Sequence, residues 1–216
     1  VAELGEWAEA SGFRATTGIG VDTAHLGSVI GRPPPPSLAE LVAASAVASM
    51  TADDTGTIVI ASGSDEPELA TALVEAGHPQ PQIIDDLDAA LRIESRATFV
   101  RGATGVLSHS TVADTSAARI IGLQPLTTTA RGLAVASRRT SVIVPDFVSS
   151  AGPYLAAVSD IDDPDALLTD VAARTRAIAA QWKDHGVGAF VAACEAAEDH
   201  LRSWTDELPF GRPLAP

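Results

Sequence analysis

The sequence is poor in aromatic and basic residues and almost free of cysteine. Aromatic side chains make up 4% of the 216 residues, and Cys194 is the one cysteine. A single cysteine allows no internal disulfide and no cysteine-built zinc site. Fourteen Lys and Arg against 28 Asp and Glu give a formal charge of −14. Nucleic acids and anionic membrane surfaces repel such a chain, so we expect neither as a partner.

Long apolar runs are missing as well. No stretch approaches the roughly 20 apolar residues that a membrane-spanning helix needs. The first residues include Glu3 and Glu6 instead of the basic start of a signal peptide. We therefore expect a cytoplasmic protein, and a hydrophobic content of 46% is enough for a proper core.

The hydrophobic pattern predicts an α/β fold. Ser37, followed three residues later by Glu40, indicates a capping box that opens an alanine-rich helix to about Met50. The predicted strands are 57–61, 82–84, 98–100, 119–121 and 142–144, and helices are predicted at 67–76 and 129–138. The run 57–61 is too continuous for a surface strand, which indicates a buried parallel sheet with covering helices. Beyond Pro164 the pattern is purely helical.

One segment is specific enough to compare with a known family. Residues 142–152 read V-I-V-P-D-F-V-S-S-A-G. This segment resembles the Pro-Asp-Phe/Tyr and Asn-Ala-Gly-Gly segment of the glutamate/leucine/phenylalanine/valine dehydrogenases. Residues 122–128 fall where that family has a Gly-Ala-Asn turn, 13–20 resemble its strand ending in Thr-x-Asp-x-Gly, and 210–213 resemble its final residues. The order and spacing of these segments identify the chain as a divergent member of the family.

The resemblance implies a Rossmann-like open parallel sheet with covering helices and a C-terminal helical segment. It divides the chain into three parts. Residues 1–32 are expected to be a remnant of the substrate (dimerisation) domain, and 33–160 a nucleotide-type domain. Residues 161–216 are expected to be helices that pack back on the first part. We expect most of the family's substrate domain, with its glycine-rich stretch and catalytic lysines, to be missing.

The resemblance also implies positions for an NAD(P) cofactor. These positions are Ser62, Gly63, Ser64, Asp85, Gly122 and Ser150. Three of the family's glycines are replaced, because the positions of Gly-x-Gly-x-x-Gly fall on Ser62, Ser64 and Pro67. Asp85 ends the second predicted strand, where the family holds the adenine ribose, but an acid that merely ends a strand explains it as well.

Carboxylates gather at the same predicted turn. Asp65, Glu66 and Glu68 lie in or beside the first turn of a predicted helix. Each would gain roughly 0.3–1 kcal/mol from the helix dipole, so they take the electrostatic place of a pyrophosphate. We therefore expect no bound dinucleotide, and NAD(P) as the cofactor only if the family's role persists.

The proton-handling groups of the family are replaced too. The resemblance places the aspartate of Thr-x-Asp-x-Gly on Gly18, and the asparagine of Asn-Ala-Gly-Gly on Ser150. Asp22, four residues after Gly18, is the remaining candidate for a catalytic residue. The single lysine, Lys183, lies in the late helical part. Several functional positions have changed together while the strands between them persist, which indicates a retained scaffold with lost or replaced chemistry.

Three further groups allow both a functional and a structural interpretation. They are the trio Ser108, His109 and Ser110, the acidic cluster Glu195, Glu198, Asp199 and His200, and the thiol of Cys194. The trio has no nucleophile elbow around it, and surface acids on a helix explain the cluster without a metal. Cys194 shares a helix face with Val191 and Ala197, which predicts packing. We expect no metal site.

Two functions remain from the sequence. The first is a non-catalytic, amino-acid dehydrogenase-like protein that binds a partner subunit or a small molecule. The alternative is an NAD(P)-dependent amino-acid oxidoreductase subunit completed by a lysine-bearing chain, or an enzyme with new chemistry in the remodelled cleft. In either case we expect a homologous subunit or a homo-oligomer.

Overall fold

The computed structural model describes residues 35–50, 56–61, 66–136, 138, 142–181 and 189–202. The strands of this part are β1 (Ile58–Ala61), β2 (Gln82–Ile84), β3 (Ala97–Val100), β4 (Arg119–Gly122) and β5 (Val142–Val144). Its helices are α1 (Leu38–Ala48), α2 (Pro67–Glu75), α3 (Leu87–Arg92), α4 (His109–Ala113), α5 (Ala130–Ala136), α6 (Asp146–Ser149), α7 (Gly152–Ala157), α8 (Pro164–Ala180) and α9 (Ala189–Arg202).

The five strands form one parallel sheet in the order β2-β1-β3-β4-β5. After β1 the chain forms β2 on one side of β1, and it then crosses to the opposite side of β1 to form β3. The order therefore reverses between β1 and β3, and such a reversal opens a crevice at the carboxyl edge of an α/β sheet. The predicted Rossmann-like open parallel sheet with covering helices is confirmed.

Strand alternation divides the core between the two faces of the sheet. Ile58 and Ile60 of β1 pack on one face with α1, α2 and α9, whereas Val59 and Ala61 pack on the other face with α3, α4 and α5. All four residues of β1 are buried, as the continuous apolar run predicted. Fully buried side chains of this size contribute about 1.5–3 kcal/mol each.

Helix α1 begins as its sequence indicates. The Ser37 hydroxyl accepts a hydrogen bond from the amide of Glu40 at 3.2 Å, and the Glu40 carboxylate accepts one from the Ser37 amide at 2.7 Å. The predicted capping box is thus confirmed. Helix α8 packs along α1, where Leu41, Leu167 and Val171 form a third apolar cluster.

Hydrogen bonds and a close backbone contact connect α1 to the segment after β5. The Ser45 hydroxyl donates to the carbonyl oxygen of Ser149 at 2.7 Å and accepts from the amide of Gly152 at 3.2 Å. A Cβ at Gly152 would lie 2.5 Å from the carbonyl carbon of Leu41 and closer still to its oxygen. The glycine therefore allows two backbones to touch.

The domain boundaries and the proposed packing of 161–216 on 1–32 stay predictions, because residues 1–34 lie outside the described part. In that part, no helix is both long enough and apolar enough to span a membrane.

Candidate functional site

The candidate site is the crevice at the carboxyl edge of the sheet between β1 and β3. Parallel register brings the strand ends level there, because Ala61 pairs with both Ile84 and Val100, and Val100 pairs with Gly122. The residues that follow these strands therefore meet along one edge, the usual ligand edge of an open α/β sheet.

An ion pair spans this crevice. Glu66 precedes α2 on the β1 side, and Arg101 follows β3 on the other side. The Arg101 Nε donates to Glu66 Oε1, and Nη2 donates to Oε2 at 3.3 Å. The side chain of Glu66 is 8% exposed and that of Arg101 is 33% exposed. Two N–H groups facing two carboxylate oxygens is the strong, directional form of this contact.

Glu66 lies at the helix start, as the sequence predicted, but its carboxylate does not bind the helix amides. The sequence placed the carboxylate beside the helix dipole, and Glu66 is indeed the residue before the first turn of α2. Its side chain makes no capping hydrogen bond to the helix amides. The carboxylate instead accepts hydrogen bonds from the guanidinium of Arg101, 35 positions along the chain.

The loops after β3 and β4 are tied to each other. The Gln124 side-chain amide donates to the carbonyl oxygen of Gly102, and the Gly105 amide donates to the carbonyl oxygen of Leu126 at 2.8 Å. Leu107 and Thr128 form a parallel bridge. Leu126 has a φ of 60° and is 68% exposed. The two loops form a connected wall beside the crevice, with one strained apolar residue on its outside.

Asp146 holds the end of β5 to the same wall. Its Oδ2 accepts hydrogen bonds from the amide of Thr127 at 2.7 Å and from the amide of Thr128 at 3.3 Å. Asp146 is 6% exposed. The aspartate of the Pro-Asp-Phe segment is thus an acceptor for loop amides, and it fixes the loop after β4.

Two of the proposed cofactor positions lie inside this framework. The Gly122 carbonyl accepts from the Ser149 hydroxyl at 2.6 Å, and a Cβ at Gly122 would meet Thr127 Oγ1 at 2.9 Å. The Ser150 hydroxyl donates to the Asp146 carbonyl oxygen at 2.6 Å, and Ser150 is buried. Both residues take part in internal contacts, and their role toward a cofactor stays a prediction.

Asp85 lies where the sequence placed it. It follows the last residue of β2 at the carboxyl edge, on the strand next to β1, and it is exposed. The neighbouring Asp86 caps α3 by accepting from the Ala89 amide at 2.7 Å. Asp85 therefore remains available for a ligand at this edge.

The other proposed site residues lie outside the described part of the chain. They are Asp22, Ser62, Gly63 and Ser64. Arg101 is a residue that the sequence analysis missed. A lone arginine after a buried apolar strand is a weak signal, and only the register of β1 with β3 brings it to the turn that carries Glu66.

The serine–histidine trio forms a helix start. The Ser108 hydroxyl accepts from the Thr111 amide at 3.3 Å in a capping box for α4, and it lies 2.9 Å from the Ser110 hydroxyl. His109 is exposed. A polar cleft of about 180 Å³ separates α3 from α4, lined by Asp88, Leu91, Arg92, Ser110, Thr111 and Asp114. The Ser108 hydroxyl therefore caps a helix, which agrees with the structural interpretation of this trio and not with a nucleophile and base.

The acids of α9 pair with arginine. Arg202 Nη2 lies 3.1 Å from Glu198 Oε2, and Nη1 lies 2.8 Å from Asp199 Oδ1. Within the described ranges, no group of three or more potential ligands is arranged to hold a metal ion. Cys194 is partly buried, and this burial together with the negative charge of Glu198 raises the pKa of its thiol. The prediction that Ala197 belongs to the packed face was wrong, since Ala197 is exposed while Ala192 and Ala193 are buried.

No protein-family model matches the sequence, and no curated protein matches it at a significant level. Solved structures do match. L-tryptophan dehydrogenase from Nostoc punctiforme aligns with a TM-score of 0.59 and 17% identity over 78% of this chain. The hetero-hexameric glutamate dehydrogenase from Thermus thermophilus, in its Leu-bound form, aligns with a TM-score of 0.64 and 14% identity over 85% of this chain.

Glutamate dehydrogenase from Peptoniphilus asaccharolyticus aligns over 85% of this chain with a TM-score of 0.56 and 11% identity. The chain has an amino-acid dehydrogenase-like fold. The alignments cover 60%, 60% and 62% of those three proteins. This chain therefore spans about three fifths of their length, and the low identities establish a shared fold only.

Proposed function

We propose that this amino-acid dehydrogenase-like protein is non-catalytic and works by binding, with a crevice that takes no dinucleotide. The main support is the Glu66–Arg101 ion pair. A dinucleotide needs its pyrophosphate at the turn between β1 and α2, where backbone amides and the helix N-terminus attract it. Here a buried carboxylate already lies beside that helix start, and its charge is matched by Arg101.

The sequence of the turn supports the same proposal. A cofactor phosphate needs close backbone approach, which glycines permit. Serines replace two of the glycines, at positions 62 and 64, and Pro67 replaces the third. Asp65 adds another negative charge next to Glu66. A phosphate would therefore meet like charge and side chains where the resemblance implies open backbone.

Titration calorimetry of the full chain with NADH and with NADPH tests this proposal. We expect no binding heat at cofactor concentrations in the high micromolar range. Incubation with leucine, valine, phenylalanine or glutamate and NAD should likewise produce no NADH absorbance. Binding in the low micromolar range, which is typical of enzymes that use a cofactor, would contradict the proposal.

An oxidoreductase subunit is the second proposal, and the exposed Asp85 favours it. A carboxylate at the end of the strand next to β1 is where such folds hold an adenine ribose. In this case the catalytic lysine comes from another chain, because Lys183 is the only lysine here and it follows α8. Cofactor binding that Asp85→Asn abolishes would support this alternative over the first.

A homologous subunit is the proposed partner. One structural neighbour is described as hetero-hexameric. On this chain, Tyr154 and Val158 lie one helical turn apart in the α7 region and are 62% and 68% exposed. Light scattering of the full chain, alone and with a homologous dehydrogenase subunit, tests the partnership. An unchanged monomer in both samples would contradict it.

A further inference from the structure

We propose that Glu66 sets the ligand selectivity of the crevice: bound to Arg101 as an internal anion, it restricts the crevice to small molecules that are neutral or cationic. The inference rests on the proposed function, because it concerns the same crevice. It adds a physical cause for the proposed exclusion of phosphate ligands, and it names the chemical class of ligand that the crevice would accept.

The geometry of the pair supports the exclusion of anionic ligands. Arg101 presents two N–H donors to the two oxygens of Glu66, which is how a guanidinium receives a ligand carboxylate or phosphate. Arg101 is the partly exposed member, and Glu66 is the buried one. The guanidinium is therefore the member of the pair that solvent can reach, and its anion is supplied by the chain itself.

The surroundings of the pair support the preference for neutral or cationic ligands. Arg101 lies at the switch point because its amide continues the ladder, donating to the Ala61 carbonyl oxygen at 3.3 Å. The adjacent Gly102 carbonyl accepts a hydrogen bond from Gln124, and Asp85, directly after β2, is an exposed carboxylate at this edge. With the charge of Arg101 matched by Glu66, the remaining field from these residues is negative. A neutral or positively charged ligand fits that field, and a phosphate does not.

Removing the carboxylate should therefore convert the crevice into an anion site. Glu66→Gln keeps the shape and removes the charge. Glu66→Ser also removes it and places a favoured N-cap residue before α2, which protects the fold. The matched control is Glu75→Gln, because Glu75 is exposed at the far end of the same helix and loses the same charge.

Calorimetric titration with inorganic pyrophosphate measures the effect in the full chain. We expect no measurable pyrophosphate binding by the wild type or by Glu75→Gln. Both Glu66 variants should bind pyrophosphate, with an affinity at least about tenfold above the detection limit that the wild type fails to reach. A tenfold change is the order expected when the Arg101 guanidinium, released from Glu66, meets a phosphate charge at contact distance. Adding Arg101→Met to Glu66→Ser should abolish the gain. Circular dichroism and a cooperative thermal transition establish that each variant is folded.

The proposal is overturned if folded Glu66 variants bind pyrophosphate no better than Glu75→Gln, or if Arg101→Met leaves the gain intact. Wild-type chain that binds pyrophosphate as tightly as the variants overturns it as well. These results are distinct from failure of the proposed function. That failure appears as NADH binding by the wild type, whereas this inference fails through the variants while the wild type still binds no NADH.

Discussion

Gly152→Ala should destabilise the protein strongly, because the glycine is the contact point between two backbones. The added Cβ would lie 2.5 Å from the Leu41 carbonyl carbon, against the 3.4–4 Å of ordinary contact. Helix α1 must therefore move away from α7 by about 1 Å or more. That movement also stretches the hydrogen bond from the Gly152 amide to the Ser45 hydroxyl, which is 3.2 Å long.

We expect a loss of about 3 kcal/mol in the free energy of unfolding, at the upper end of the usual range for overpacking. For a domain of this size that loss lowers the melting temperature by roughly 6–12 °C. Urea denaturation followed by circular dichroism measures it. Gly102→Ala is the matched control, because the nearest atoms there belong to the Val106 side chain, at 3.1 Å and beyond, and that side chain can adjust. Equal losses in the two variants would refute the reasoning.

Three further predictions concern other described residues. Asp146→Ala should lower the unfolding free energy by about 2–4 kcal/mol, because it leaves the Thr127 amide without its charged acceptor, and faster hydrogen exchange at that amide should accompany the loss. An unchanged exchange rate would contradict this. Leu126→Gly should raise the stability by up to about 1 kcal/mol in urea denaturation, since a φ of 60° strains a leucine and the exposed side chain loses little. A clear loss would mean that Leu126 makes contacts that its exposure does not indicate. The raised pKa of Cys194 leaves less thiolate at pH 8 than a free cysteine has, so iodoacetamide should react slowly, and Glu198→Gln should lower the pKa and speed the reaction. The same rate in both proteins would exclude Glu198 as a cause.

Most of the fold is predictable from local sequence. The strands, α1 and α8 carry their own signals: the strands are apolar runs, α1 begins at the Ser37 capping box, and α8 begins at Pro164, where the pattern becomes purely helical. Helix α2 was predicted at 67–76 and is found at Pro67–Glu75. Helices α3 and α4 were not predicted, and neither were the four-residue α6 and the six-residue α7. Helices so short are not stable alone, and α6 and α7 form because they pack on α1 and α8.

The candidate site was only partly predictable, because its key contacts join distant residues. The sequence places Glu66 before a helix and Asp85 after a strand, and both positions are found. It gives no reason to pair Glu66 with Arg101, since that contact depends on the register of β1 with β3, which are separated in the chain by α2, β2 and α3. The contacts of Asp146 were equally unpredictable, because the two amides that donate to its carboxylate belong to a loop 18 and 19 positions earlier.

These long-range contacts share one feature that bears on function. Open α/β sheets bind ligands in the crevice outside the carboxyl ends of their strands. Here Arg101 binds Glu66, Gln124 binds the Gly102 carbonyl, and Asp146 binds loop amides. Each of these three groups is paired within the protein, which supports the proposal that the crevice takes no anionic cofactor. These pairings therefore favour the proposed binding role over the alternative of an oxidoreductase subunit, which needs a group at this edge that is open to a cofactor, such as Asp85.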